Sequence, residues 1–224
     1  MGKGGRHMAK KSATSWNCEC ELGQRSRPLV EIAGAGEEVM KPALLLHSCC
    51  GPCSTAVIER LAPDYDITVF FYNPCITDPD EYEKRKASQI KFIENFNLKL
   101  GGKHKIHFLE GEYAPDVYYQ LTDGFSNEPE GGSRCTICFR MRLEETAKTA
   151  KNLGYGLFTT TLTVSPHKNY SLISQLGKEL ALKYSVEYLD IDFKKKAGFQ
   201  RSIQLSKEYG LYRQNYCGCE YSKR

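Results

Sequence analysis

From residue 40 onward, short apolar runs alternate with longer segments in which apolar residues recur at helical spacing. The apolar runs predict five β-strands, over residues 43–46, 67–72, 105–109, 157–161 and 187–190. The amphipathic segments predict six helices, over residues 54–61, 77–96, 115–121, 135–152, 170–184 and 200–209. Because strands and helices alternate, the order indicates an α/β protein with a parallel sheet sandwiched by helices.

The segments that follow the strands are the predicted location of a binding site. Ligands of open parallel sheets bind in a crevice beyond the carboxyl ends of the strands. We therefore expect the segments after four strands to face one crevice, namely residues 47–53, 73–80, 160–167 and 190–193. A loop rich in Gly and Glu, over residues 123–134, is expected to cover part of it.

The first 39 residues differ in composition from the rest of the chain. They are rich in Gly, Ser, Arg and Lys and have no sustained apolar period. We expect residues 1–39 to be a flexible extension and residues 40–224 to form one domain. A native translation start at Met40 is an open hypothesis, under which Cys18 and Cys20 would have no role.

The composition excludes several classes of protein. Hydrophobic residues make up 41% and charged residues 26% of the chain, which argues against a disordered or fibrous protein. The net charge is only +4, but residues 194–224 carry eight basic against two acidic side chains. This basic stretch is either a solvated terminus or a surface that binds phosphate.

Cysteine is unusually frequent, with ten residues in 224 and no secretory leader before them. We therefore expect a cytoplasmic protein whose thiols are kept reduced. In that compartment clustered cysteines are metal ligands or catalytic groups more often than structural disulfides.

Three cysteines, Cys49, Cys50 and Cys53, lie between a predicted strand and a predicted helix. A helix N-terminus favours thiolate over thiol, so these cysteines should be reactive. The sequence Cys50-Gly-Pro-Cys53 matches the redox motif of thioredoxins. The adjacent Cys49 fits a polynuclear metal centre better, because neighbouring residues project divergently.

A second pair, Cys135 and Cys138, has the spacing that places two sulfur atoms on one face of a helical turn. Together with Cys49 and Cys50 it supplies four thiolates from two distant segments. Such a set suits a four-iron four-sulfur cluster or a structural zinc ion, and thiol redox chemistry remains an alternative.

A third pair, Cys217 and Cys219, is separated by one glycine. A disulfide between them would close a small strained ring, and strained disulfides are easily reduced. We interpret the pair as redox-active, with two ordinary thiols as the alternative. Cys75 has no partner at an informative spacing, so we assign it to packing.

Five motifs in order resemble the cobalamin-independent epoxyqueuosine reductases, the QueH family. They include Cys-Cys-Gly-Pro-Cys in 44–54 and Tyr-Cys-Gly-Cys in 211–219, and the other three lie in 70–74, 134–143 and 159–168. The resemblance runs from about Met40 to the C-terminus. It implies a Rossmann-like fold similar to the adenine-nucleotide α-hydrolases, although the phosphate loop of nucleotide hydrolases is absent from the sequence.

The resemblance also implies a cofactor and its ligands. The iron-sulfur ligands fall on Cys49, Cys50, Cys135 and Cys138, and the redox-active pair falls on Cys217 and Cys219. At Cys75 the family pattern has Asn, which keeps this residue off the ligand set. Whether a mononuclear iron sits beside the cluster is left open.

The implied reaction is the two-electron reduction of the epoxide of epoxyqueuosine in a tRNA anticodon loop, which gives queuosine. It needs an electron donor, which the sequence does not identify, and a proton donor. His47 and Asp192 are the candidates for the proton donor. The alternative for His47 is a structural role, and the alternative for Asp192 is that it binds iron.

A tRNA partner predicts basic residues that hold backbone phosphates, and no membrane partner is expected. The candidates are Arg140, Arg142, Lys168, Lys195, Lys196 and Arg213. Two other functions remain as alternatives. One is a thioredoxin-like disulfide reductase that uses Cys50 and Cys53, and the other is a zinc-stabilised RNA-binding module without catalysis.

Overall fold

The structure is a computed structural model that describes Met1, residues 41–102 and residues 105–223. The chain divides into two units, Met1–Val39 and Met40–Arg224. The predicted extension, with Cys18 and Cys20, lies outside the described residues apart from Met1. Among the described residues, no helix combines the length and the apolar character needed to cross a membrane.

Five parallel strands form one sheet in the order β3-β2-β1-β4-β5. The strands are β1 (Ala43–His47), β2 (Asp66–Phe71), β3 (His107–Glu110), β4 (Leu157–Thr160) and β5 (Glu187–Tyr188). The helices are α1 (Gly51–Leu61), α2 (Pro79–Lys99), α3 (Pro115–Leu121), α4 (Ser133–Leu153), α5 (Tyr170–Tyr184) and α6 (Gly198–Glu208). The predicted α/β sandwich is confirmed, and the strand order is Rossmann-like.

The central strand β1 is buried on both faces, which is why it reads as a continuous apolar run. Because side chains alternate along a strand, Leu44 and Leu46 pack with Phe92 in the layer formed with α1 and α2. Leu45 points the other way and packs with Leu143 and other residues of α4 and α5. The two layers cover both faces of the sheet. Because the strands are parallel, their carboxyl ends all lie at one edge of it.

The start of α1 differs from the prediction. The helix begins at Gly51 rather than at Ser54, because Pro52 in the first turn needs no intrahelical donor. Cys50 is the extended residue at the helix cap, and Cys53 lies inside the first turn. The whole cysteine segment is thereby fixed at the N-terminus of a helix.

Other boundaries shift by one to three residues. Asp78 caps α2, since its carboxylate accepts from two backbone N–H groups of the first turn. Strand β5 is shorter than predicted and ends at Tyr188, so residues 189–193 continue as irregular chain.

Gly51 is the closest point between α1 and α2. A Cβ atom built there would lie 2.6 Å from the backbone oxygen of Ser88. We expect Gly51→Ala to lower the free energy of unfolding by about 1–3 kcal/mol, because the backbone of α2 must move. Urea denaturation followed by circular dichroism measures this. Gly156→Ala is the matched control, since a Cβ atom at that position would have no neighbour within 4 Å; equal losses in both variants would contradict the prediction.

Candidate metal centre

A cavity of about 400 Å³ lies beyond the carboxyl ends of the strands, where β1 and β4 adjoin. Cysteines from four separate segments line it: Cys49 and Cys53, Cys75, Cys135 and Cys138, and Cys217 and Cys219. The cavity confirms the expected crevice for three of the four predicted segments. Residues 190–193 do not line it, and Phe199 and Ser202 of α6 form that wall instead.

Cys49, Cys50 and Cys53 form the tightest group of thiols. Their sulfur atoms lie within 4.8 Å of one another, and those of Cys49 and Cys50 are 4.0 Å apart. Hydrogen bonds from Cys50 and Cys53 hold the pKa of Cys49 well below its usual value, whereas the pKa of Cys50 is raised to about 12, chiefly by Cys49. Cys49 thus has the most acidic thiol of the group, and the three sulfur atoms are close enough to bind one metal centre.

The second group of sulfur atoms lies on α4. Cys135 accepts a hydrogen bond from the backbone N–H of Gly131 at 3.2 Å, and Cys138 accepts one from the Arg142 guanidinium at 3.2 Å. Gly131 lies in the loop that was predicted over 123–134, and Arg134 lies in the first turn of α4; both line the cavity. The loop therefore forms part of the wall, as expected.

Cys75 is 3% exposed and packs in the hydrophobic core, as predicted, but it also faces the cavity. It lies in the cavity wall and is hydrogen-bonded to Cys138, which lowers the pKa of Cys75 to about 6. No spacing in the sequence signals this contact, because Cys75 and Cys138 are brought together only by the packing of α4 against the sheet.

The C-terminal segment, residues 213–219, forms one wall of the cavity. Arg85 of α2 donates to the backbone oxygens of Tyr216 and Cys217 at 3.1 and 2.9 Å. Gly218 has a φ of +127°, and a Cβ there would lie 3.1 Å from the Arg85 guanidinium. Glycine is therefore required between the two cysteines, which both reach the cavity.

Two further side chains connect this segment with the rest of the site. The Gln214 amide donates to the Cys50 sulfur at 2.9 Å, and the buried Tyr118 phenol is hydrogen-bonded to Cys219. Neither residue was singled out in the sequence. The position of Gln214 three residues before a cysteine pair was the one available signal.

Arg142 and Lys168 place positive charge against these thiols. Arg142 is 1% exposed and Lys168 is partly buried, and both line the cavity. Burial by itself lowers the pKa of each, but neighbouring cysteines outweigh it and raise both pKa values. Among the described residues, neither has an ion pair with a carboxylate. The charge arrangement therefore favours an anionic group in the cavity.

His47 does not have the geometry of a proton donor. It is fully buried and does not line the cavity, and its ring nitrogens contact the Thr160 hydroxyl at 2.9 Å and the Tyr72 carbonyl at 3.2 Å. Burial, followed by the charge of Arg142, lowers the pKa of His47 to about 3. These contacts support the structural alternative for His47 rather than the role of proton donor.

Asp192 also lies outside the cavity wall. Its carboxylate accepts from the backbone N–H of Lys194 at 3.2 Å and faces the Lys194 ammonium at 3.9 Å. These contacts give Asp192 a role in the turn between β5 and α6. They support neither of the predicted roles, as proton donor or as iron ligand.

The predicted tRNA contacts fall into three places. Lys168 and Arg213 line the cavity, while Lys195 and Lys196 are exposed on the turn before α6. Arg142 also lines the cavity, but it is 1% exposed and hydrogen-bonded to Cys138, which does not favour a contact with tRNA phosphates.

Arg140 lies on the outer side of α4, where it forms an ion pair with Glu179 of α5 at 2.8 Å. It does not line the cavity. Arg140 is therefore separate from the basic residues in and around the cavity.

Comparison with known proteins assigns the chain to a family. The family model for "Epoxyqueuosine reductase QueH" matches residues 44–224. The chain belongs to the QueH family. A family member from Streptococcus pyogenes is 43% identical over 188 residues, which cover 84% of this chain and 73% of the relative.

Other QueH relatives show similar agreement. One from Staphylococcus epidermidis is 45% identical over 81% of this chain and 76% of its own length. One from Thermotoga maritima is 37% identical over 80% of this chain and 89% of its own length. Each of these relatives is called an epoxyqueuosine reductase, and the family match confirms the resemblance predicted from the motifs.

The buried pair Arg85–Glu81 holds the C-terminal segment over the cavity, with 2.7 Å between the paired atoms. We expect Arg85→Gln to lower the free energy of unfolding by about 3–5 kcal/mol, because Glu81 then remains buried and uncompensated. Urea denaturation measures the loss. Lys86→Gln is the neighbouring control, where solvent-exposed pairing predicts less than about 1 kcal/mol. A loss in Arg85→Gln no larger than in the control would contradict the assignment.

Proposed function

We propose that this protein is an iron-sulfur oxidoreductase that converts epoxyqueuosine in a tRNA anticodon loop to queuosine, the last step of queuosine biosynthesis. Membership of the QueH family supports the reaction. The observation that carries the proposal is the cavity into which four segments direct seven cysteines. The reaction takes place in the cytoplasm, with an electron donor that is yet to be identified.

The residues of the cavity fit a four-iron four-sulfur cluster. Cys49, Cys135 and Cys138 line the cavity, and Cys50 does not line it but has its sulfur atom 4.0 Å from that of Cys49. These four cysteines would hold the cluster, since thiolates are the ligands that iron-sulfur clusters use. A cluster with four thiolate ligands carries net negative charge, which the cations of Arg142 and Lys168 would balance. When bound, the cluster supplies electrons for reduction. Cys53 and Cys75 are the thiols left for a mononuclear iron beside it.

The deoxygenation consumes two electrons and two protons and releases the epoxide oxygen as water. With His47 and Asp192 outside the cavity, other groups must act on that oxygen. We assign the Lys168 ammonium to stabilise the developing negative charge, because it faces the cavity without a carboxylate partner among the described residues. The Tyr118 phenol holds a proton at its Oη atom beside Cys219.

Cys217 and Cys219 are proposed as the redox pair that receives electrons from the donor. Their disulfide would take up two electrons and two protons to give two thiols. Gly218 permits the tight turn between them, and both thiols reach the cavity where the cysteine ligands lie.

The thioredoxin-like alternative is disfavoured by burial. A disulfide reductase of that kind attacks its substrate with an accessible thiolate, whereas Cys50 is 0% exposed and bonded to Gln214. The zinc-stabilised RNA-binding module remains an outcome of the test that follows.

The test of the reaction uses iron-reconstituted protein, epoxyqueuosine-containing tRNA and dithionite under anaerobic conditions. Nucleoside mass spectrometry should show loss of one oxygen from the modified base. Cys49→Ala and Cys138→Ala should reduce conversion to background, because each removes a cluster ligand. Thr136→Ala, on the same turn of α4 but without a sulfur atom, should convert normally.

A colourless, zinc-loaded protein that binds tRNA without converting it would contradict the proposal and favour the binding module. Full conversion by Cys49→Ala would instead contradict the ligand assignment.

The exposed lysines on the turn before α6 are proposed to bind tRNA phosphates at the rim of the cavity. Lys195→Glu with Lys196→Glu should weaken binding of the tRNA, and the slope of log Kd against log salt should fall by about 1 for each phosphate that is no longer neutralised. Fluorescence anisotropy over a series of salt concentrations measures both. Lys148→Glu, an exposed residue further along α4, is the control. An unchanged salt dependence in the double variant would exclude these lysines.

A further inference from the structure

Arg142, a predicted tRNA contact, is hydrogen-bonded to one of the thiols of the cavity. It follows Cys138 by one turn of α4 and is 1% exposed. Its Nη2 atom donates to the Cys138 sulfur at 3.2 Å, and its Nε atom donates to the Cys138 carbonyl oxygen at 3.1 Å. Both contacts are to the same residue, so the guanidinium is held in one orientation against that sulfur atom.

The surroundings of Arg142 contain thiols from every part of the site. Besides Cys138, its charge acts on Cys75, Cys217 and Cys49. These residues come from three other segments of the chain, and Arg142 lines the same cavity as all four cysteines.

Arg142 lacks the carboxylate partner that Arg85 and Arg140 have. Arg85 is buried with Glu81, and Arg140 is paired with Glu179 at the surface. Among the described residues, Arg142 has no carboxylate within ion-pairing distance. Burying a cation without a carboxylate partner costs free energy unless another anion lies beside it. The sulfur atoms of the cavity are the groups in position to supply that negative charge.

We propose that Arg142 is a positioning residue that raises the reduction potential of the cofactor held by Cys138 and its partners. The proposal rests on the proposed function, because it requires an iron-sulfur cofactor. Reduction adds one electron, and so one negative charge, to the site. A fixed positive charge and an N–H···S hydrogen bond stabilise the more negative state. The electron comes from the donor, and the guanidinium neither gains nor loses a proton.

The experiment compares reconstituted wild-type protein with Arg142→Gln and Arg142→Lys in an anaerobic redox titration followed by electron paramagnetic resonance. Arg142→Gln removes the charge, and we expect its midpoint potential to fall. Arg142→Lys keeps the charge but cannot make both hydrogen bonds to Cys138, so we expect a smaller fall in the midpoint potential. Arg140→Gln is the matched control on the same helix, because it removes an arginine that does not line the cavity. Its potential should equal that of the wild type.

The outcomes separate this inference from the proposed function. If wild-type protein binds no iron-sulfur cluster, the proposed function itself fails. If the cluster is present and the potential of Arg142→Gln equals that of the Arg140→Gln control, only the role of Arg142 is overturned. If Arg142→Gln does not fold, the lysine variant gives the answer by the same comparison. Loss of the cluster from both folded Arg142 variants would assign Arg142 to cofactor retention and overturn the tuning role.

Discussion

The balance of charge in the cysteine cavity is the constraint on which the rest of the site depends. Thiolates brought together away from water repel one another, and they need cations that are equally buried. Arg142 and Lys168 meet this need from two separate segments of the chain, one on α4 and one after β4. Their positive charge makes the cavity suited to an anionic cofactor, while His47, whose pKa is lowered chiefly by burial, lies outside the cavity wall.

The walls of the cavity are held in place by two kinds of contact. The sheet and the N-termini of α1 and α4 place Cys49, Cys50, Cys135 and Cys138, and these elements belong to the hydrophobic core. The C-terminal segment is held differently, by the hydrogen bonds of Arg85 to two of its carbonyl oxygens. Polar anchoring thus determines where Cys217 and Cys219 lie, whereas elements of the hydrophobic core determine where the other cysteines lie.

Much of the architecture follows from local patterns. The alternation of apolar runs and amphipathic segments predicted all five strands and all six helices, because burial on both faces and helical periodicity are properties of short stretches. The boundaries of α3 and α5 agree with the prediction, whereas α1 starts three residues early. That difference arises because Pro52, which ends helices elsewhere, is tolerated in a first turn.

The sequence by itself determined the fold class, the family and the cysteine pairs that converge, since these depend on residue type and spacing. Only the tertiary structure decided which other side chains face the sulfur atoms. Gln214 meets Cys50 across 164 residues of chain, and Cys75 meets Cys138 through the packing of α4 on the sheet. The tertiary structure also directs Arg142 towards the cavity and places Asp192 outside the cavity wall. Such contacts depend on which helix faces cross the end of the sheet, and no local pattern specifies that.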